Sequence, residues 1–501
     1  PMSISPKLGQ NMNDGIFGSD DSEAEISRLK RAATHRNWTT PDGVSLEVIT
    51  PPTVYPPKED TDLLCRALRN LGPGKGQRLL EIGCGSGAAS LYAACLGYRV
   101  RACDINPYAV AATRANAEQS NLNVDVHEGG PGPAEDGSIE QWAGLNTHDV
   151  LVWNLPYLTH DQTIDQVLGP LEEAALLDTD QIGLSSRLML QVSENQLLAK
   201  NGIMLLLVSA NERGKQAELE AQKHGFAARY VAEHTFDDGE ELRVLAVWHP
   251  YAGSRIQTFE TVASTNQTAL EHATTVGDFF RADVQTEGRG RRGRSWSSES
   301  ECFAGSWLIA SGKPSMAPGL MQILGGYAVV TTHRLLGIPN EGIALKWPND
   351  VYHSIDDNLG KIAGVLVEGT SKGNKSAIVL GIGVNLSTNN ADSRTYPIAH
   401  LNDQLPHISA ESYAPVIHAV IASFFEQREG IRDNKNQDIL TAIFAEIKRS
   451  QGPLGRPIYR GLSWQVSNLD DQGTLTLVSD DGQTEGIADG EDLIWPALRA
   501  I

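Results

Sequence analysis

From about residue 44, short apolar runs and helical patterns take turns along this chain, and at Trp248-His249-Pro250 the alternation stops. Strand–helix alternation of this kind predicts a parallel sheet with helices on both faces, because a parallel crossover needs a connection long enough to hold a helix. Leu63, Leu64, Ala67, Leu68 and Leu71 recur at helical spacing, and residues 78–82 form a short apolar run. Residues 88–96 read as a helix stopped by Gly97, residues 98–105 as a strand, and Pro107 stands where the next helix should start. Further strands are predicted at 149–154 and 203–209. Residues 227–236 and 241–249, joined by Asp237-Asp238-Gly239, predict a hairpin at an antiparallel edge. The front of the chain is therefore read as an α/β doubly wound domain.

Beyond residue 250 the pattern changes to a different architecture. At 501 residues the chain is long enough for about three domains of roughly 150 residues each. Residues 255–450 mix strands and helices without βα repetition, which suits an α+β domain. Beyond Gly452-Pro453, short strand-like runs separated by Gly and Asp turns predict a small β-barrel. Residues 1–33 are polar and acidic, lack hydrophobic periodicity, and predict a flexible tail. The expected division is a tail over 1–33, an α/β domain over 34–250, an α+β domain over 255–450 and a barrel over 453–501.

Charge narrows the function. Forty-one Lys and Arg face 62 Asp and Glu, a formal net charge of -21, which argues against a chain whose main task is coating nucleic acid. The five cysteines form no CxxC pair, so a disulfide framework is not expected and a reducing cytoplasm is. The histidines show no HExxH and no Cys/His ligand spacing, and no metal-ligating residues are assigned. The longest aliphatic run, at 203–208, is far short of the ~20 residues that span a bilayer, so no membrane partner is expected. No secretory signal is visible, and the opening Pro1-Met2 suits a residue left ahead of a start methionine or a processed fragment.

The chemistry of the front part begins at Glu81-Ile82-Gly83-Cys84-Gly85-Ser86-Gly87, directly after a strand and opening a helix. Glycines there let a ligand approach the backbone, and Asp104 ends the next strand where a nucleoside ribose would be recognised. These glycines suit a dinucleotide nearly as well. Asn154-Leu155-Pro156-Tyr157, after the fourth strand, breaks the tie. Together with Val54-Tyr55-Pro56-Pro57-Lys58-Glu59-Asp60-Thr61 and Asp104-Ile105-Asn106-Pro107, it resembles the HemK-type protein methyltransferases of the archaeal and eukaryotic branch, over about residues 44–249. The resemblance implies a class I methyltransferase fold and transfer of methyl from S-adenosylmethionine to a release-factor glutamine. Thr61, Glu81, Gly83, Gly85, Gly87, Asp104 and Asn154 would hold the cofactor. Asn154, Leu155, Pro156 and Tyr157 would hold the substrate, with Asn154 and Tyr157 as catalytic residues. A small zinc-binding activator is a further partner the resemblance implies. An amide nitrogen is a poor nucleophile, but an Asn side-chain oxygen and a backbone carbonyl can accept both of its N–H bonds and aim it. Leu155 stands where the family usually has Pro, which questions efficiency or substrate more than cofactor binding. A nucleic-acid adenine methyltransferase and an inactive docking module are the alternatives.

In the rear part, Gly288-Arg289-Gly290-Arg291-Arg292-Gly293-Arg294 alternates small and guanidinium residues and is followed by Trp296. In an acidic chain such a cluster suits closure over one small anionic ligand. Lys346-Trp347-Pro348-Asn349-Asp350, then Lys361-Ile362-Ala363-Gly364-Val365-Leu366-Val367-Glu368, then Gly381-Ile382-Gly383-Val384-Asn385 come next in order. These blocks resemble the BirA-type biotin protein ligases over most of residues 255–501, and Leu454-Gly455-Arg456-Pro457 resembles the start of that family's C-terminal SH3-like β-barrel.

The resemblance implies that biotin and ATP, with Mg²⁺, give biotinyl-AMP, and that a lysine of a biotin carboxyl carrier protein domain then attacks it. Ser264, Thr265, Asn266 and Gln285 would hold the ureido end of biotin. Gly288, Arg289, Gly290 and Arg291 would fold over carboxylate and phosphates. Lys361 would bridge those groups, with Lys346, Asn349, Asp350, Gly364 and Asn385 completing the biotin and ATP site; Lys361, Arg291 and Asp350 are its catalytic residues. The segment 352–360 is a few residues longer than usual. The helix-turn-helix carried by the family's repressor-type members is missing and the methyltransferase-like part occupies its place, so a DNA-binding repressor is not expected. A lipoate ligase is the alternative for this part.

Overall fold

The computed structural model describes residues 32–132, 138–156, 178, 180–237, 239–296, 301–355, 358–372, 375–387 and 397–498. Residues 1–31 of the predicted tail and Tyr157 lie outside them. The chain divides into two compact units, one of residues up to 146 with 151–187, the other of residues 147–150 with 188–501.

In the first unit, β1 (Thr34–Thr39) and β2 (Ser45–Thr50) pair antiparallel. Helix α1 (Glu59–Asn70) carries three acidic residues in its first turn, where they complement the helix dipole, and buries Leu63, Leu64, Ala67 and Leu68 on the predicted face. Strand β3 (Arg78–Ile82) pairs parallel with β4 (Arg99–Asp104), and β4 pairs parallel with β5 (Val124–Glu128). Helix α2 (Ala88–Cys95) returns from β3 to β4, and α3 (Pro107–Gln119) from β4 to β5, with Pro107 at its first position as expected. The short α4 (Ile139–Trp142) comes next, and β6 (His148–Asn154) delivers Asn154 at its end.

Helix α5 (Leu184–Asn195) begins in the first unit and ends in the second, where β7 (Leu198–Ser209), α6 (Glu212–Lys223), β8 (Ala227–Thr235) and β9 (Glu241–Trp248) follow. The last two form the predicted hairpin, and β9 also pairs antiparallel with β7. A seven-stranded mixed sheet then runs β10 (Ile256–Val262), β11 (Phe279–Gln285), β12 (Cys302–Ser311), β16 (Lys375–Asn385), β15 (Asn358–Lys372), β14 (Asp350–Ile355) and β13 (Ile343–Lys346) across its width. Only β10 and β11 pair in parallel. Helix α7 (Thr265–His272) joins β10 to β11. Helices α8 (Pro318–Leu335), α9 (Ala410–Phe425) and α10 (Asn436–Leu454) bury Leu, Ile and Val side chains. After α10 come an antiparallel pair, β17 (Ile458–Tyr459) with β18 (Leu462–Ser463), and an antiparallel three-stranded sheet of β19 (Gln465–Leu469), β20 (Leu475–Val478) and β21 (Thr484–Ile487).

Candidate functional site

The front cavity, about 120 Å³, opens where β3, β4 and β6 end. Gly83 (φ 65°) and Gly85 (φ 53°) hold the left-handed backbone that lets the turn after β3 double back. A side chain at Gly83 would also stand 3.1 Å from Trp153 Nε1. Asp104 accepts hydrogen bonds from Gly85 N at 2.8 Å and Asn106 N at 2.9 Å, which locks the turn to the strand end. Burial raises its pKa above the usual carboxylate value, against these backbone donors. Asn154 Nδ2 donates to Asp60 Oδ2 at 2.9 Å, whereas its buried Oδ1 accepts no hydrogen bond from the described residues. That orphan acceptor suits an incoming N–H.

Of the residues assigned to this site, Gly83, Gly85, Asp104, Asn154, Leu155 and Pro156 line the cavity. Thr61, Glu81 and Gly87 do not. Thr61 accepts from Lys58 N at the start of α1. Glu81 is buried, receives a hydrogen bond from Ser90 Oγ, and is pushed up to about 8 by that burial. Gly87 caps α2, where a side chain would meet Thr113 at 2.7 Å. Thr53, Gly129, Gly130 and Leu184 line the cavity too, and no local motif marks them.

The rear cavity, about 300 Å³, gathers the ordered blocks of the second part. Ser264 N-caps α7, Thr265 N and Oγ1 both donate to Gln285 Oε1 at 2.8 and 3.0 Å, and Asn266 accepts from Ser306 Oγ at 2.6 Å while donating to Glu368 Oε2 at 2.8 Å. Glycines on β15 and β16 make the room. A Cβ at Gly381 would lie 2.0 Å from Asn266 Oδ1, and one at Gly383 would lie 2.6 Å from the Trp296 ring.

Lys361 reaches the cavity because β14 and β15 slip register. Asp350 pairs with Gly364 and Val351 with Ala363, but Tyr352 then pairs with Lys361, so Ile362 is the extra residue of a β-bulge. Opposite residues of an antiparallel pair share a face, so the bulge puts Lys361 on the side of Asp350 and Tyr352 rather than on that of the buried His353. Lys361 Nζ lies 2.7 Å from Asp350 Oδ1 and Lys346 Nζ 3.5 Å from Asp350 Oδ2. Burial pushes the Asp350 carboxyl up, but the two ammonium groups outweigh it and hold it below the usual range. Lys361 Nζ also stands 5.7 Å over the Trp296 ring.

Ser264, Thr265, Asn266, Gln285, Arg289, Gly290, Arg291, Lys346, Asn349, Asp350, Lys361 and Gly364 line this cavity, whereas Gly288 and Asn385 do not. Gly288 closes the base of the arginine loop through its carbonyl and Trp296 N at 2.7 Å. Asn385 Nδ2 donates to the Lys361 carbonyl at 3.1 Å and so steadies the lysine's backbone. The lining also includes Trp296, Gly490, Glu491 and Leu493. The last three lie over 100 residues from the other blocks, and only tertiary structure could have found them.

With a glycine turn beside an acidic strand end in one cavity and an arginine loop with a lysine–aspartate pair in the other, the chain joins two modules, and similarity to known proteins identifies them as a methyltransferase and a ligase. Residues 79–163 match a Methyltransferase domain family, and residues 258–385 match the Biotin/lipoate A/B protein ligase family. A Methanocaldococcus jannaschii protein named for N5-glutamine methyltransferase activity is 30% identical over 210 residues, 41% of this chain and 96% of that protein. The chain belongs, in its N-terminal part, to the HemK-type protein methyltransferase family, and it carries a biotin protein ligase domain in its C-terminal half. The bifunctional ligase/repressor BirA of Escherichia coli is 35% identical over 141 residues, 27% of this chain, a stretch spanning 41% of that protein's length. A solved biotin protein ligase from Aquifex aeolicus in complex with biotin and ATP is 22% identical, covering 48% of this chain and 97% of that one with a TM-score of 0.36. Among the described residues, no helix is long and apolar enough to cross a membrane.

Proposed function

We propose that the rear part activates biotin with ATP and passes it to a lysine of a biotin carboxyl carrier protein domain. The observation carrying this reading is the single cavity that gathers Arg291, Asp350 and Lys361 together with Ser264, Thr265 and Gln285. A biotin carboxylate oxygen attacks the α-phosphorus, the bond to pyrophosphate breaks, and biotinyl-AMP forms. The carrier amine then attacks the acyl carbon, and AMP leaves as the amide bond forms. Two anions must meet in the first step, and Lys361 and Arg291 place fixed positive charge where the negative charge develops. Asp350 holds Lys361 in position through the 2.7 Å pair. Among the described residues no cluster of three or more His, Cys, Asp or Glu could hold a metal ion, and Asp350 is already paired with two lysines. Mg²⁺ would therefore arrive on the triphosphate and keep most of its waters.

For the front part, the proposed activity is N5-methylation of a glutamine in a peptide release factor, with S-adenosylmethionine supplying the methyl group. Asp104 would accept from the ribose hydroxyls, Gly83 and Gly85 would admit the cofactor against bare backbone, and Asn154 Oδ1 would accept an N–H of the substrate amide. Leu155 supplies a carbonyl as Pro would, and Pro156 keeps it extended. A small zinc-binding activator is the expected partner of this part. The proposed division is 34–250 for the methyltransferase, 255–450 for the ligase and 453–501 for an SH3-like barrel. The five cysteines form no CxxC pair, which supports a cytoplasmic location.

Purified protein given biotin, ATP and Mg²⁺ should release pyrophosphate and label a carrier domain, and calorimetry should register S-adenosylmethionine. Labelling with lipoate in preference to biotin would overturn the ligase substrate. Methyl transfer to DNA but not to a release factor would overturn the methyltransferase substrate.

A further inference from the structure

The arginine loop is gripped by acids from near the end of the chain. Arg291 Nη2 lies 3.5 Å from Asp489 Oδ1, Arg292 pairs with the other oxygen of the same carboxylate, and Arg294 Nη2 lies 2.7 Å from Glu491 Oε2. Gly490 between the two acids is buried against the Trp347-Pro348 corner, and a Cβ there would come within 2.5 Å of Pro348 Cδ. The backbone is thus seated on the block that carries Lys346 and Asp350, so packing places the two carboxylates independently of the arginines. Asp489 is further oriented by accepting a hydrogen bond from Glu491 N at 3.1 Å.

The loop conforms to this grip. Arg292 stands at φ 56°, in the left-handed region where a non-glycine residue persists only if its surroundings hold it there. At the loop's other end, Arg289 Nη1 lies 3.3 Å from Glu368 Oε1. Three guanidinium groups, Arg291, Arg292 and Arg294, face two carboxylates, Asp489 and Glu491, which leaves one positive charge over among these five groups. The longest pair belongs to Arg291, whose side chain lines the cavity, so the surplus charge sits where a ligand would lie. An acyl-adenylate carries one negative charge on its phosphate.

We propose that Asp489 and Glu491 are positioning residues that latch the 288–296 loop over the adenylate pocket, leaving one guanidinium charge for the intermediate. The proposal rests on the ligase reading of the rear cavity. Exposed ion pairs are individually weak, about threefold each in an equilibrium, so three acting on one loop favour closure by about 30-fold. A closed loop keeps water from the acyl carbon until the carrier amine arrives. Once the latch opens, water attacks that carbon, the bond to phosphate breaks, and biotin and AMP are released.

The test uses the full chain carrying Asp489→Asn together with Glu491→Gln, changes that keep shape and remove charge. Limited trypsin digestion without ligands should cut at Arg291, Arg292 or Arg294 at least tenfold faster than in the parent. The ratio of pyrophosphate released to carrier labelled should rise several-fold. Asp489→Glu, which keeps a carboxylate, should restore most of the protection. Parental cleavage rates and an unchanged ratio in the double variant would overturn the latch. If the parent itself released no pyrophosphate on adding biotin, the ligase reading would fail, and the trypsin arm would still decide whether the acids hold the loop.

Discussion

Replacing Lys361 by Ala should damage both chemistry and stability, and the two effects can be separated. At an effective dielectric constant of about 20, two unit charges at the 2.7 Å of the Lys361–Asp350 pair attract by about 6 kcal/mol, and at the 3.5 Å of Lys346–Asp350 by about 5 kcal/mol. Burial of Asp350 cancels much of this attraction, and Lys346 remains in the variant. The expected loss of stability is therefore about 3 kcal/mol, the lower end of what breaking a buried pair from one side costs. Adenylate formation loses a fixed positive charge aimed at the developing negative charge, a loss of about 10²–10³-fold in rate.

The stability deficit has a defined pH dependence. The folded-state pKa of Asp350 is depressed, so its contribution is present above the unfolded carboxylate pKa and is lost as pH falls through the folded value. The gap between parent and Lys361→Ala should accordingly close on the acid side. Urea unfolding measures the first effect and biotin-dependent pyrophosphate release the second. Adding Asp350→Asn to the lysine variant should recover no activity and little stability, because it removes the partner of Lys346. A Lys361→Ala protein that labels the carrier as fast as the parent would refute the assigned role of this lysine. Full parental stability would refute the electrostatic argument.

Asp104→Asn should weaken S-adenosylmethionine binding by about 10–100-fold, the worth of hydrogen bonds to a charged group, as read by calorimetry. In the parent, affinity should fall as pH drops through the raised pKa of Asp104, because a protonated carboxyl is a poorer acceptor for ribose hydroxyls. In the second unit, His333 Nδ1 and His353 Nε2 lie 2.9 Å apart, and Tyr413 OH lies 3.2 Å from His333 Nε2. Burial lowers both histidines, His353 to about 4, so the unfolded chain binds more protons and stability falls as pH drops from about 6.5 toward that value. The His353 contribution is about 3 kcal/mol, and His353→Gln should flatten the dependence of the urea midpoint on pH between 7 and 5.

Local chemistry announces itself in sequence, and that is why much here was legible. Gly83, Gly85 and Asp104 declare a turn and a strand end through spacing alone, and Pro107 and the 227–249 hairpin fall where turn and cap residues place them. The arginine loop and the 346–350 and 361–368 blocks marked one anionic site in an acidic chain. Roles set by burial were not legible. Glu81, inside the signature turn, is hydrogen-bonded to Ser90 and lies off the cavity, because helix packing rather than spacing determines which way a strand-end side chain is enclosed.

The sequence by itself determined the order of the elements and the two kinds of chemistry, since periodicity, turn residues and charge act over a few neighbouring positions. Only the tertiary structure decided which side chains meet at the rear cavity. A single extra residue at Ile362 turns Lys361 from the His353 face of β15 to the Asp350 face, a choice made by strand register and not by any motif. Likewise, Asp489 and Glu491 meet the arginines across nearly 200 residues of chain, because packing of Gly490 on Pro348 brings them there. Coulomb attraction acts through space, and spacing along the chain carries no record of it.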